Sequence, residues 1–156
     1  MNIVEKLKNK NLHISTMESC TGGSLANYIT NISDSSLIFS FGAVTYSNSF
    51  KEKFNVDKSL IDKYSVYSIE VAKSMSYNIS IYSNSDIGVG ITGLLGKYDK
   101  FNQSEKDNTV YIAIYSKKHN KYYDKIINVN SNDRIINKEQ VINVVVDLLD
   151  EVINYE

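Results

Sequence analysis

The serine pair Ser35-Ser36 lies near Tyr46 and Lys51 in the sequence, and one serine with these two side chains could carry out nucleophilic catalysis. A serine hydroxyl is a weak nucleophile until a neighbouring base removes its proton. A lysine can be that base if removal from water lowers its pKa enough to leave the amine neutral. A tyrosine between the two can relay the proton. The set is compatible with covalent catalysis by a serine.

The predicted elements place two of these side chains at one end of the fold. Tyr46 ends an apolar, β-rich stretch, and Lys51 lies one turn into the next predicted helix, so both can converge on one pocket. Lys53 points roughly 200° further around that helix and is the weaker candidate. Serine, tyrosine and lysine are common in this sequence, and an exposed Lys51 would be a solvated charge. From the residues alone both interpretations stay open.

A second candidate is the turn Thr21-Gly22-Gly23, between a predicted strand and a predicted helix. Adjacent glycines let the backbone turn sharply and approach a ligand closely. The N–H groups at the start of the following helix suit a phosphate or a developing oxyanion. The alternative is an ordinary tight turn with no ligand.

Helices alternate with apolar strands along the chain. The spacing of apolar residues predicts helices over 2–10, 24–30, 47–54, 57–64 and 68–79, and a final helix whose apolar positions run from 141 to 152. It also predicts strands over 13–17, 37–46 and 86–92, and a hairpin over 109–116 and 122–129. Ser47, Asp57 and Ser68 are predicted helix caps, as is Asn132 or Asp133 for the last helix. The order predicts an α/β fold, with a mixed β-sheet flanked by helices, in one domain over residues 1–156.

Composition excludes several classes of protein. Seventeen basic and eighteen acidic side chains give a net charge of −1, so no basic field for nucleic acid is expected, and Arg134 is the one arginine. No apolar run approaches the ~20 residues of a membrane span, and the N-terminus has no signal-peptide core. Cys20 is the single cysteine, which excludes an internal disulfide and predicts a small buried filler. We therefore expect a cytoplasmic protein with no membrane contact.

Two long motifs resemble a known family. The run from Thr16 to Gly23, TMESCTGG, resembles TAESCTGG, and the run from Val44 to Asn48 with Lys51 resembles VTYSNxxK. Thr92-Gly93 resembles the start of a TGIAG segment. The motifs occur in family order, and the similarity extends from about residue 3 to 154. The sequence thus resembles the C-terminal domain of the CinA family, the nicotinamide-nucleotide amidases.

This resemblance implies the family's α/β domain and deamidation of nicotinamide mononucleotide to nicotinate mononucleotide and ammonia. It implies that Ser36 is the nucleophile and that Tyr46 and Lys51 manage the proton. The residues expected to bind the nucleotide substrate are Ser19, Thr21, Gly22, Gly23, Thr45, Gly93 and Lys106. No metal or organic cofactor is expected, and we expect a homo-oligomer, a dimer or higher.

The sequence also departs from the family pattern. Asp34 replaces a glycine before the paired serines, and the segment 97–108 keeps Lys106 but lacks the family's glycines and proline. Without those glycines the segment is less able to wrap a phosphate, which predicts a high KM for the nucleotide. The alternative function is that of a degenerate family member that binds a nucleotide or a protein partner without turnover.

Overall fold

A computed structural model describes residues 1–96 and 107–156. The strands are β1 (Ile14–Glu18), β2 (Phe39–Val44), β3 (Ile87–Gly93), β4 (Thr109–Ser116) and β5 (Lys121–Asn128). The helices are α1 (Ile3–Asn9), α2 (Ser24–Thr30), α3 (Asn48–Lys53), α4 (Lys58–Tyr64), α5 (Ile69–Ser83) and α6 (Arg134–Tyr155), with a 3-10 turn at Ser35–Leu37. In the described ranges no helix has the length and apolar character needed to cross a membrane.

The strands form one mixed sheet in the order β2-β1-β3-β4-β5. β2 and β3 both run parallel to β1, whereas β4 is antiparallel to β3 and β5 is antiparallel to β4. The mixed sheet flanked by helices confirms the predicted fold class. The carboxyl ends of β1, β2 and β3 therefore meet at one edge of the sheet, where ligand sites of parallel sheets commonly form.

Helices cover both faces of this sheet. On one face α1, α2 and α6 bury apolar side chains against β1, β3 and β4. On the other face α5, together with Val56 and Ile61, packs on Met17 of β1. Successive strand residues point to opposite faces, so Ile14 joins the first cluster and Met17 the second. The central strands are thereby fixed from both sides.

Two glycines of β3 let α5 approach the sheet very closely. A Cβ atom at Gly88 would lie 2.0 Å from the carbonyl oxygen of Ser76, and one at Gly90 would lie 2.2 Å from that of Ala72. Neither position can hold a side chain without moving the helix backbone. All seven residues of β3 are buried, which confirms the predicted buried strand.

The predicted helix caps are confirmed by hydrogen bonds. Ser47, Asp57 and Ser68 each accept a backbone N–H in the first turn of α3, α4 and α5, and Asp133 rather than Asn132 caps α6.

The prediction for β2 was too long at both ends. Leu37 ends the 3-10 turn instead, and the strand runs from Phe39 to Val44.

Candidate active site

A cavity of about 410 Å³ opens at the carboxyl ends of β1, β2 and β3. We call it the Ser19 pocket. It is lined by Ser19, Cys20, Tyr46, Asn48, Lys51, Val66, Tyr67, Thr92, Gly93, Leu94, Leu95 and Arg134. Most of these residues end or follow the three parallel strands, so the strand order brings them together. The others precede α5 or begin α6.

The turn between β1 and α2 is held from within by Glu18. Its buried carboxylate accepts the Thr21 hydroxyl at 2.6 Å and the backbone N–H groups of Leu25 and Ala26 at 2.9 and 3.0 Å. Gly22 and Gly23 have φ values of +62° and +97°, a region that favours glycine, and this confirms the predicted sharp turn. The turn thereby fixes the backbone of the segment that begins with Ser19.

Helix α3 brings Lys51 to the same place. Lys51 Nζ donates to Ser19 Oγ at 3.0 Å and to the Thr45 carbonyl oxygen at 2.7 Å. Lys51 is only 1% exposed, whereas Lys53 lies at the surface over the Phe50 ring. The helical spacing predicted this difference. The structure therefore joins Lys51 directly to Ser19.

Burial changes the acidity of two neighbouring groups. Removal from water lowers the pKa of Lys51 to about 8, although the neighbouring Cys20 opposes this shift. Burial also raises the pKa of the Cys20 thiol to about 12, against the opposing positive charges of Lys51 and Arg134. Cys20 is 5% exposed, so it is the buried, unreactive filler that was predicted. At neutral pH, Lys51 can therefore supply a neutral amine beside a serine hydroxyl, whereas Cys20 stays a thiol.

The structure does not bring Ser36 to this pocket. Ser36 is exposed in the 3-10 turn that precedes β2, whereas Tyr46 and Lys51 follow that strand. A strand of this length separates its two ends by about 20 Å. The expectation that Ser36 joins Tyr46 and Lys51 is corrected: in the part of the chain that the structure describes, Ser19 is the serine that Lys51 contacts.

The structure places the predicted substrate-binding residues, and the predicted catalytic Tyr46, in different positions relative to the pocket. Ser19 and Gly93 line the pocket, as does Tyr46, which is 64% exposed at its mouth. Thr45 is buried outside the lining, where its carbonyl oxygen holds Lys51. Lys106, and with it most of the segment 97–108, lies outside the described residues.

The turn Thr21-Gly22-Gly23 also does not line the Ser19 pocket. The N–H groups of Leu25 and Ala26, which begin the next helix, already bind the Glu18 carboxylate. The expectation that this helix start offers them to a phosphate or oxyanion is therefore wrong. An internal carboxylate takes the place of the expected ligand.

Sequence reasoning missed several lining residues, among them Asn48, Tyr67 and Arg134. Asn48 lies inside the VTYSNxxK motif, which was a usable signal for it. Arg134 was noted only as the single arginine, and no local pattern shows that the start of α6 packs beside the end of β3. Its Nη1 donates to the Leu95 carbonyl oxygen at 2.7 Å.

Comparison with known proteins agrees with the motifs. The family model of the CinA C-terminal domain matches residues 1–153. A competence-damage inducible protein of Caldicellulosiruptor saccharolyticus is 35% identical over 155 residues, which cover 98% of this chain and 37% of that protein. One of Clostridium botulinum, strain Langeland, is 38% identical over 139 residues, covering 86% of this chain and 32% of that protein.

Solved structures agree with the fold. A CinA superfamily protein from Klebsiella pneumoniae 700603 superimposes with a TM-score of 0.90 at 22% identity, covering 99% of this chain and 94% of that one. A competence/damage inducible protein from Agrobacterium tumefaciens superimposes with a TM-score of 0.89 at 24% identity, covering 97% of this chain and 91% of that one.

The fold and the pocket define an α/β domain with a serine–lysine pair at the carboxyl edge of its parallel strands. The chain belongs to the CinA C-terminal domain family. It spans 37% or less of the length of the two curated relatives described above.

Proposed function

We propose that the chain is a serine amidohydrolase that converts nicotinamide mononucleotide to nicotinate mononucleotide and ammonia. The observation that carries this proposal is the 3.0 Å contact between Lys51 Nζ and Ser19 Oγ in a pocket where the lysine is buried. A serine beside a base of lowered pKa is the arrangement that nucleophilic attack on a carboxamide requires. The substrate itself is inferred from membership of the CinA family and from the motif resemblance.

In the first half of the reaction Lys51 acts in its neutral form. Its amine takes the hydroxyl proton of Ser19 as Ser19 Oγ bonds to the carboxamide carbon. The Lys51 ammonium then gives that proton to the leaving nitrogen, the carbon–nitrogen bond breaks and ammonia departs. The product of this half is an ester between Ser19 and the nicotinoyl group.

In the second half, water attacks the ester carbon while Lys51 again takes a proton. The carbon–oxygen bond to Ser19 breaks, and Ser19 recovers its hydroxyl proton from Lys51. Nicotinate mononucleotide forms as the carboxylic acid, loses its proton to solvent and leaves as the carboxylate. Tyr46 lines the pocket at its mouth, and we propose that it contacts the substrate. Its part in proton movement stays a prediction.

The Thr45 carbonyl has a positioning role in this scheme. Because it accepts a hydrogen bond from Lys51 Nζ at 2.7 Å, it fixes the amine against Ser19. In the neutral amine one N–H can still donate to Thr45, while the lone pair faces the Ser19 hydroxyl. One contact thus orients the base, and the other carries the proton.

The direct test is ammonia release by the purified protein from nicotinamide mononucleotide, with nicotinamide and glutamine as comparison amides. The proposal expects steady release from the nucleotide and much slower release from the other two. No release from the nucleotide would overturn it and favour the degenerate, non-catalytic alternative. The cytoplasmic location and the homo-oligomer stay predictions.

A further inference from the structure

The Ser19 pocket must hold a positively charged ring if the proposed function is correct. In nicotinamide mononucleotide the ring nitrogen is bonded to ribose, so the pyridine ring that bears the carboxamide is a cation. Among the described lining residues of the pocket there are two basic side chains, Lys51 and Arg134, and no aspartate or glutamate. No carboxylate of that lining can therefore offset the charge of the ring. The face of an aromatic side chain is the other protein group that attracts a cation.

Two aromatic side chains belong to the described lining, Tyr46 and Tyr67. Tyr46 is 64% exposed at the mouth of the pocket, whereas Tyr67 is half-buried. Tyr67 also packs against the buried cluster of Ala72, Tyr111 and Ala113, which joins α5 to β4. Because a cation–π contact is stronger where water is excluded, Tyr67 is the better placed of the two rings.

The backbone before Tyr67 is held in a conformation that serine rarely adopts. Ser65 has φ +69° and ψ 160°, a combination that is essentially confined to glycine. Its N–H donates to the Ile61 carbonyl oxygen at 2.8 Å, and its own carbonyl oxygen accepts the Ser68 hydroxyl at 2.7 Å. Strained backbone of this kind persists where its surroundings hold it, and it is concentrated at functional sites. Here the strained turn directly precedes Val66 and Tyr67, which line the pocket.

Two further hydrogen bonds hold this segment at the pocket wall. The Tyr67 N–H donates to Ser65 Oγ at 3.2 Å. The hydroxyl of Thr92, near the end of β3, donates to the Val66 carbonyl oxygen at 2.8 Å. The Tyr67 backbone is thereby fixed at the wall, so little ordering is needed when a ligand binds there.

We propose that Tyr67 is a specificity-determining residue, which binds the cationic pyridine ring through its aromatic face and thereby selects positively charged aromatic carboxamides. This inference rests on the proposed amidase function and adds the residue that recognises the ring next to the reacting carbon. The aromatic face carries this role, and the Tyr67 hydroxyl has no part in it. A ring bound at this wall keeps its carboxamide in the pocket that contains Ser19 and Lys51.

The test compares nicotinamide mononucleotide with its reduced, dihydropyridine form, whose ring is neutral while the phosphate, ribose and carboxamide are the same. Binding is measured by calorimetry in a Ser19→Ala background, which removes the proposed nucleophile. Adding Tyr67→Leu should raise the Kd of the cationic nucleotide about 5- to 30-fold, while the Kd of the neutral form changes less than about threefold. Adding Tyr67→Phe should leave both Kd values within about threefold, because it keeps the ring.

Tyr77→Leu is the matched control. It removes a tyrosine ring of α5 that packs on Tyr115 and is not among the described lining residues of the Ser19 pocket. It should leave both Kd values unchanged, and urea denaturation checks that each variant is folded. Equal losses for the two nucleotides in Tyr67→Leu, no loss, or an equally large loss in Tyr67→Phe or Tyr77→Leu would overturn the proposal.

These binding measurements separate the role of Tyr67 from the amidase function, because they need no turnover. If the Ser19→Ala protein prefers the cationic nucleotide and Tyr67→Leu abolishes that preference, the role stands even where the wild type releases no ammonia. If the Ser19→Ala protein binds the neutral form equally well or better, the role is refuted even where the amidase activity is present. This second result needs no Tyr67 variant to fold.

Discussion

Lys51 has to meet two opposing requirements in the Ser19 pocket. It must be deprotonated to accept the serine proton, yet it must stay close to Ser19 and to the Thr45 carbonyl oxygen. Burial meets the first requirement, since it lowers the pKa of Lys51 to about 8. The hydrogen bond to the Thr45 carbonyl meets the second.

The rate should therefore depend on pH through Lys51. With a pKa of about 8 in the free enzyme, kcat/KM should rise about tenfold per pH unit below 8 and level off above it. Lys51→Arg should lower the rate at least about 100-fold, because arginine stays protonated and supplies no base. Initial rates from pH 6 to 9.5 measure both effects. A flat profile, or an active Lys51→Arg enzyme, would exclude the general-base role.

The residue types of the site were predictable from the sequence, but one assignment was not. Tyr46 and Lys51 follow β2, and their shared location followed from helical and strand spacing. Ser36 was assigned from motif position, whereas Ser19, inside the TMESCTGG motif, was assigned to binding. The parallel pairing of β1 and β2 decides between the two serines, because Ser19 follows its strand while Ser36 precedes the other.

At the level of elements, the start of α2 depends on one carboxylate. Glu18 ends β1 and accepts three hydrogen bonds from the turn and the helix that follow it. Helix α2 has only seven residues and Gly23 at its N-cap provides no side-chain hydrogen bond. Glu18 therefore replaces the missing cap, and its own placement fixes the neighbouring Ser19.

Replacing Glu18 by Gln should weaken both the fold and the site. Both carboxylate oxygens of Glu18 accept hydrogen bonds, and the amide NH2 of glutamine is a donor that cannot replace one of them. We therefore expect a loss of about 1–3 kcal/mol in the free energy of unfolding. We also expect a lower kcat, because the Ser19 backbone shifts. Urea denaturation and initial rates measure the two effects. The exposed Glu151→Gln on α6 is the matched control and should stay within about 0.5 kcal/mol. Equal stability of the two variants would contradict the cap role.

Most elements could be predicted from the sequence because their signals are local. Capping residues and apolar spacing mark where α3, α4 and α5 begin. The internal cap by Glu18 could not be predicted, since it joins a strand end to a helix seven residues later. The packing of Arg134 beside Leu95 is a long-range contact of the same kind.

For the whole molecule, the buried lysine links stability to pH. The folded pKa of Lys51 is about 8, below its ordinary value of 10.5. Below pH 8 Lys51 carries its proton in both the folded and the unfolded chain, so the free-energy cost of burying its charge is fully present. Between pH 8 and 10.5 only the unfolded chain binds it, so the contribution of Lys51 to stability rises with pH.

The variant Lys51→Met isolates this effect, because it keeps the side-chain volume and removes the titrating group. Between pH 7 and 10.5 the free energy of unfolding of the wild type should rise relative to this variant by up to about 3 kcal/mol. Urea denaturation of both proteins at a series of pH values measures the difference, in which titrations elsewhere in the chain cancel. A difference that is constant with pH, or that falls, would contradict the lowered pKa.

The central claim is that Ser19, and not Ser36, is the nucleophile, and the matched pair Ser19→Ala and Ser36→Ala tests it most directly. Both variants remove one hydroxyl, and circular dichroism of each variant is the check that it is folded. In ammonia release from nicotinamide mononucleotide, Ser19→Ala should lose at least about a thousandfold in kcat, as removal of a catalytic serine does elsewhere. Ser36→Ala should stay within about twofold of the wild type, as expected for an exposed side chain away from the pocket. An active Ser19→Ala enzyme, or an inactive but folded Ser36→Ala enzyme, would contradict the account.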